Sequence, residues 1–386
     1  MEENMLLHDF EDIRPLNDGE VSAAIDEMIA APGFRNAVNY IMPDVDWEAF
    51  TQQMRRCRTK EEFKSTFSYD AVMKIARHST FSLTISGRSR LPADTSCTFI
   101  SNHRDIVLDA AFLNVLLYDI GHGLTQVAIG DNLLIHPWIK LLVRINNSFI
   151  VKRDIPVRQV LESSRTLSAY IHHTVRHTGE SVWIAQREGR AKDSNDFTQN
   201  AVLKMLNMGG TEDILTNLTA LNIVPVAISY EFDPCDYLKA QEFQLKRDCP
   251  GFVKSKRDDL LNMETGILQN KGRVHFTVAS PVNPALEALD RKMERNELYS
   301  AIASVIDREI YAHYRFYPCN YVAYDMLYQT LRFRDSYDQR DKMQFETYLR
   351  KQLDKILIPG RDEAFLRTRM LEMYSNPLKN HLANKP

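Results

Sequence analysis

The chain has 386 residues, 44% hydrophobic and 26% charged, a composition that excludes disordered chains, collagen-like repeats and small disulfide-stapled scaffolds. Its 48 basic and 51 acidic side chains leave a formal charge of −3. Duplex nucleic acid is therefore not an expected partner, and any phosphate must be recognised by local clusters.

The five cysteines, Cys57, Cys97, Cys235, Cys249 and Cys319, form no C-x-x-C pair and read as reduced thiols in a cytosol. The opening segment MEENMLLHDFEDIRP is acidic and lacks the pattern of a signal peptide. No run reaches the ~18 apolar residues of a membrane span. These features predict a cytoplasmic protein that can lie peripherally on the inner face of a membrane.

Residues 1–80 space their apolar side chains by three or four in GEVSAAIDEMIA, FRNAVNYI, DWEAFTQQMRRC and KEEFKSTFSYDAVMKIARHS, which predicts an N-terminal helical region. The pattern changes at Phe81. FSLTISG and CTFIS predict short strands. TQVAIG, SFIVKR, SVWIAQ and NIVPVAISYE predict further strands, interleaved with helices over 133–145, 156–178 and 197–208, before RVHFTVAS closes the series near 280. Alternating strands and helices imply an α/β unit over 81–285, with a mixed, largely parallel sheet flanked by helices. Residues 286–386 are helical again, and the tail from Ser375 is expected to fray.

Four blocks carry chemistry-bearing residues. In Ser101-Asn102-His103-Arg104-Asp105 and onward to Asp109, a strand gives way to a helix, where α/β folds place reactive groups. His103 suits a general base at neutral pH, and a carboxylate would fix its tautomer. Asp105 is well placed as a helix cap, which makes Asp109 the preferred partner of His103 and Asp105 the alternative. SFIVKRDI delivers Lys152 and Arg153 at a strand end, a pairing that suits phosphate. IAQREGR places Arg187, Glu188, Gly189 and Arg190 on a turn. IVPVAISYE reads as a buried strand.

His173 and His177 have the spacing of a zinc pair but lack the Glu of H-E-x-x-H, and no nucleotide-binding or serine-hydrolase motif occurs. The helix over 133–145 combines Leu133, Leu134, Trp138, Leu141 and Leu142 with Lys140 and Arg144. That mix suits either a membrane interface or packing on the sheet, with the N-terminal helices as a rival membrane contact.

In order and spacing, NHRDIVLD, SFIVKRDI, IAQREGR and IVPVAISYE resemble the blocks of the glycerolipid acyltransferase superfamily. These are N-H-x4-D, an apolar strand ending in arginine, an F-P-E-G-T-R-like turn and a V-P-V strand. The last block, followed by QLKRDCPGFVKSKRDD and RVHFTVASPV, leans toward the glycerol-3-phosphate branch. The chain departs from the pattern twice. Five residues, not four, separate His103 from Asp109, and no threonine stands between Gly189 and Arg190. Both departures mark a divergent branch.

The resemblance implies an O-acyltransferase in phospholipid synthesis. His103 would act as base, oriented by Asp109. Lys152, Arg153, Arg187 and Arg190 would hold the acceptor phosphate, while Glu188 and Gly189 position its glycerol moiety. The donor would be acyl-CoA or acyl-carrier protein and the acceptor glycerol-3-phosphate or 1-acylglycerol-3-phosphate, with no metal or bound cofactor. The alternatives are an amino-acid lipid or other lysolipid as acceptor, or a catalytically silent membrane-associated binding protein.

Overall fold

A computed structural model describes residues 10–92, 95–153 and 155–384. The first nine residues of the opening segment and the last two of the tail lie outside the described residues. Seven strands form one sheet: β1 Ser82–Ser86, β2 Thr98–Ser101, β3 Thr125–Gly130, β4 Ser148–Val151, β5 Ser181–Ala185, β6 Ile223–Tyr230 and β7 Arg273–Val278. Their order is β1-β7-β6-β2-β5-β3-β4. All pairs are parallel except β6 with β7. The fold is therefore α/β with a mixed, largely parallel sheet, as the alternation of strands and helices predicts.

Apolar side chains cover both faces of the sheet. Helices Val157–His173, Asn200–Asn207 and Arg295–Ala312 pack on one face through Ile171, Leu203, Leu206 and Ile306. Helix Leu108–Asp119 packs on the other through Phe112, Leu113 and Leu116. All eight residues of β6 are buried, which accounts for its unbroken apolar run.

The N-terminal helices, Asp18–Ala30, Pro32–Ile41, Trp47–Met54 and Lys60–Phe63 continuing to Tyr69–Ser79, begin at recognisable signals. Asp46 accepts from the Glu48 and Ala49 amides, Thr59 and Glu62 form a capping box, and Pro32 opens its helix. They share a core of Val21, Ile25, Met28, Phe34, Met54 and Phe63. The predicted helix over 133–145 begins only at Pro137 and ends at Ile145. Its apolar face meets this N-terminal core, with the Trp138 ring 5.8 Å from that of Phe34 and Leu141 and Leu142 alongside. The residues read as a membrane-facing or sheet-facing stripe thus pack mainly on the N-terminal helices.

The C-terminal region comprises Asn283–Glu287, Arg295–Ala312, Pro318–Tyr328, Gln339–Leu353 and Glu363–Ala383. Fraying from Ser375 does not occur. The last helix runs through Pro377, with Ser375, Asn376 and Leu378 buried. Hydrogen bonds tie this stretch to the rest of the chain: Asn320 Nδ2 donates to Tyr374 O at 2.9 Å, and the helix's own Asn376 Nδ2 donates to Asp193 O at 2.9 Å. The polar stretch after β6 also forms helices, Asp236–Asp248 and Lys256–Leu268.

Candidate active site

Because β2 to β6 run in the same direction, the segments leaving β2, β4 and β5 emerge at one sheet edge. β2 lies between β5 and β6, so the chain departs from it to one side and returns on the other, the topological switch point where open α/β sheets bind ligands. Residues separated by about ninety positions meet there.

Asn102, the first residue beyond β2, is fully buried. Its amide bridges to β6, donating to Ile228 O at 2.9 Å and accepting from Ile228 N at 2.8 Å. This clamp prolongs the sheet ladder by one residue and fixes the take-off of the next. Trp183 on β5 donates to Ser101 Oγ at 3.0 Å, and its ring meets that of His103 edge-on at 5.6 Å.

His103 is 14% exposed at its side chain. Its Nδ1 lies 2.8 Å from Oδ2 of Asp109, a residue with no exposed surface. The same oxygen accepts from the Arg104 amide at 2.5 Å and the Asp105 amide at 3.0 Å. Three contacts on one carboxylate oxygen hold that carboxylate in place and orient the imidazole. His103 Nε2 makes no hydrogen bond to the described residues.

Asp105 plays the other part. Its Oδ1 accepts from the Val107 amide at 2.9 Å and the Leu108 amide at 2.8 Å, at the start of helix Leu108–Asp119. Burial, then the neighbouring Asp109 charge, pushes its carboxyl above the usual range. The extra residue between His103 and Asp109 is taken up in this capped turn before the helix. A Cβ on Gly266 would stand 2.1 Å from Asp105 Oδ2, so helix Lys256–Leu268 approaches this closely only with glycine there. Lys271 then closes that helix, donating to Ile267 O at 3.2 Å and Gln269 O at 2.9 Å. Burial pushes its amine down to about 8.

The second block divides. Arg153 turns toward the third block, with Nη1 3.6 Å from Glu188 Oε1, and its amide donates to Asp131 Oδ1 at 3.0 Å. Lys152 pairs with Asp12 at 3.1 Å and is not gathered with Arg153 into one cluster. In the third block Gly189 has φ +64°, the left-handed conformation that suits glycine. Arg187 lies over the Phe197 ring at 5.6 Å, and Glu188 is exposed with its amide donating to Gln199 Oε1 at 2.9 Å. Arg190 folds inward, Nη2 donating to Asn262 Oδ1 at 3.3 Å and Nη1 to Arg104 O at 3.5 Å. It thereby ties the third block to the loop carrying His103.

Glu231, at the end of the fourth block, forms a two-pronged pair with Arg273, at 3.0 and 2.7 Å. It pins β6 to β7 and is not a ligand candidate. Asn102, Trp183, Asn262 and Lys271 support the site without having been singled out by sequence. Asn102 alone carried a visible signal, standing beside the histidine.

Residues 82–229 match the Acyltransferase family model, a span from the first strand to the penultimate residue of the sixth. Among solved structures, the 1-acyl-sn-glycerophosphate (LPA) acyltransferase of Thermotoga maritima is similar at 12% identity and a TM-score of 0.36, over 75% of this chain and 93% of that one. No curated protein sequence matches the chain. Residues 82–229, which carry the His103 loop and the Arg153 and Gly189 turns, are thus similar to the Acyltransferase family.

Proposed function

We propose that the chain transfers a fatty acyl group from a thioester to a hydroxyl of glycerol-3-phosphate or 1-acylglycerol-3-phosphate in phospholipid synthesis. The His103–Asp109 pair carries this reading: a buried carboxylate 2.8 Å from Nδ1 favours the tautomer whose Nε2 accepts a proton. As the acceptor oxygen attacks the thioester carbonyl, Nε2 takes its proton. The tetrahedral intermediate collapses with cleavage of the C–S bond, and the imidazolium returns the proton to the departing thiolate.

Arg153 and Arg187, both partly solvent-accessible at the same sheet edge, are the preferred phosphate ligands. Acceptor phosphate would displace Glu188 from Arg153, leaving that carboxylate for the glycerol hydroxyls, while Gly189 shapes the turn. Lys152 joins only by leaving Asp12, and Arg190 acts chiefly by holding the loop of His103. The Glu188 partner of Arg153 also favours a second reading, in which an amino-acid lipid brings its own ammonium and carboxylate to this ion pair. Acyl-CoA and acyl-carrier protein are both proposed as donors.

We also propose peripheral membrane association. Val157, Val160 and Leu161 are 90%, 46% and 51% exposed on the first turns of the helix after β4, beside Arg158, a mix suited to a lipid surface. Among the described residues no helix is long and apolar enough to cross a membrane.

Purified protein with acyl-CoA or acyl-carrier-protein thioester and a panel of acceptors tests the function. Thiol release that depends on glycerol-3-phosphate or its 1-acyl ester, and falls ~10²–10⁴-fold in His103→Ala, is the expected result. Wild-type turnover in a folded His103→Ala protein would sink the mechanism, and transfer confined to a zwitterionic acceptor would select the second reading.

A further inference from the structure

Asp109 commits only one of its carboxylate oxygens to the imidazole. Oδ2 takes His103 and two loop amides, whereas Oδ1 is buried and has no hydrogen-bond partner. The hydroxyl of Tyr230, at the last position of β6, is buried and unpartnered in the same way. A carboxylate oxygen accepts and a phenol donates, so the two needs are complementary.

The sheet brings these groups together. Side chains alternate along β6, and Val224, Val226, Ile228 and Tyr230 share the face packed against Phe112, Leu113 and Leu116 of helix Leu108–Asp119. Asp109 lies in the first turn of that helix. The Asn102 clamp on Ile228 fixes β6 two residues before Tyr230 and the neighbouring chain one residue before His103. The Tyr230 hydroxyl consequently stands against the Asp109 carboxylate. Burial first, then the charges of Asp109 and Asp105, hold the phenol well above its usual pKa, so it keeps its proton for donation. Asp105 is the poorer acceptor, because its Oδ1 already serves two amides and its Oδ2 is turned to Gly266. A buried hydroxyl and a buried carboxylate oxygen are each costly when left unpaired, and one bond between them satisfies both.

We infer that Tyr230 is a positioning residue for the proposed acyl transfer: its hydroxyl donates to Asp109 Oδ1 and so fixes the carboxylate that orients His103. The inference rests on the reading of His103 as the base, and Tyr230 acts only through Asp109. With Oδ1 anchored from β6 and Oδ2 from the loop, the carboxylate is kept from swinging away from Nδ1 as charge develops on the imidazole.

Tyr230→Phe, which keeps the ring and deletes the hydroxyl, tests this in the whole chain, with the fold checked by circular dichroism. It should lower kcat roughly 3- to 30-fold and leave KM for donor and acceptor within about twofold. In an Asp109→Asn background the same substitution should change the residual rate by less than about twofold, whereas after Asp105→Asn it should keep its full effect. Wild-type kcat, or equal losses with Asp109 and with Asn at that position, would reduce Tyr230 to a packing residue and overturn the inference. Loss of the effect after Asp105→Asn would hand the hydroxyl to Asp105 and overturn it equally.

A second measurement needs no turnover. Exchange of the His103 Nδ1 proton with water, followed by NMR in protein carrying isotope-labelled histidine and assigned with His103→Ala, should speed up roughly 3- to 30-fold in Tyr230→Phe. Unchanged exchange would overturn the role of Tyr230 whatever the activity of the protein. Faster exchange in a protein that releases thiol from neither thioester would uphold the chain of contacts from Tyr230 through Asp109 to His103 and sink the proposed reaction alone.

Discussion

Asp105 and Asp109 stand one helical turn apart, and their surroundings assign them opposite tasks. Asp109 gives one oxygen to His103 and two backbone amides, while Asp105 turns its Oδ1 to the amides of Val107 and Leu108. Asparagine caps as well as aspartate but cannot stabilise an imidazolium. Asp105→Asn should therefore keep kcat within a few-fold of wild type, whereas Asp109→Asn should lower it by at least ~10²-fold with the fold retained by circular dichroism. The opposite ranking would move the partnership to Asp105. Arg153 separates binding from chemistry in the same way. Arg153→Ala should raise KM for a phosphorylated acceptor by roughly ten- to a hundredfold and change background thioester hydrolysis much less. An unchanged KM would remove Arg153 from the phosphate site.

At the scale of elements, helix Asp236–Asp248 docks the C-terminal helices through one buried carboxylate. Asp236 accepts from Tyr348 at 2.8 Å, Tyr374 at 2.7 Å and Gln352 at 2.6 Å. Burial, outweighing the tyrosine hydrogen bonds, pushes its carboxyl up to about 6, against an unfolded value near ~3.9. The folded protein thus binds the proton more tightly. The resulting stability is fully present below about pH 4 and is lost as pH rises through about 6. The stability of wild type minus that of Asp236→Asn should fall by on the order of 2–3 kcal/mol between pH 4 and pH 7 in denaturant titrations; a flat difference would show that the carboxyl titrates normally. The final helix gives a second measurement. Leu378, 2% exposed, lies in the stretch whose polar sequence predicts fraying, so Leu378→Ala should cost ~2–5 kcal/mol, where a frayed tail would lose almost nothing.

Across the whole molecule, several contacts fasten the N-terminal region to the rest of the chain, among them an edge-strand hydrogen bond and an aromatic contact. Ile13 O accepts from Ile150 N of the edge strand β4 at 2.8 Å, and Trp138 packs against Phe34 and close over Gly33. Trp138→Ala should loosen this attachment at less than the ~3–5 kcal/mol of a fully buried aromatic, since the ring is half-buried. Limited proteolysis should then cut faster within residues 17–80. Unchanged cleavage would show that the other contacts, such as those of Ile13 with Ile150 and Tyr69 with Asp119, suffice. Such a variant that still floats with anionic vesicles would agree with a membrane contact at Val157, Val160 and Leu161.

The sequence alone determined the alternation of strands and helices, because each buried strand here is an apolar run and each helix a three-to-four spacing, both local properties. It also determined that a histidine and a carboxylate sit where β2 gives way to a helix, since the cap and the strand end are short-range signals. Tertiary structure decided the rest. Which aspartate meets His103 depends on where the helix begins, and that is set by the Asp105 cap together with the approach of Gly266 from a helix about 160 residues away. Lys152 and Arg153 are neighbours in sequence but point to Asp12 and Glu188, because successive side chains leaving a strand face opposite ways. Tyr230 reads in sequence as one more residue of a buried strand. Only the packed sheet sets its side chain in the cluster of Phe112 and beside Asp109, since neighbours distant in sequence are a property of the assembled surroundings and not of the residue.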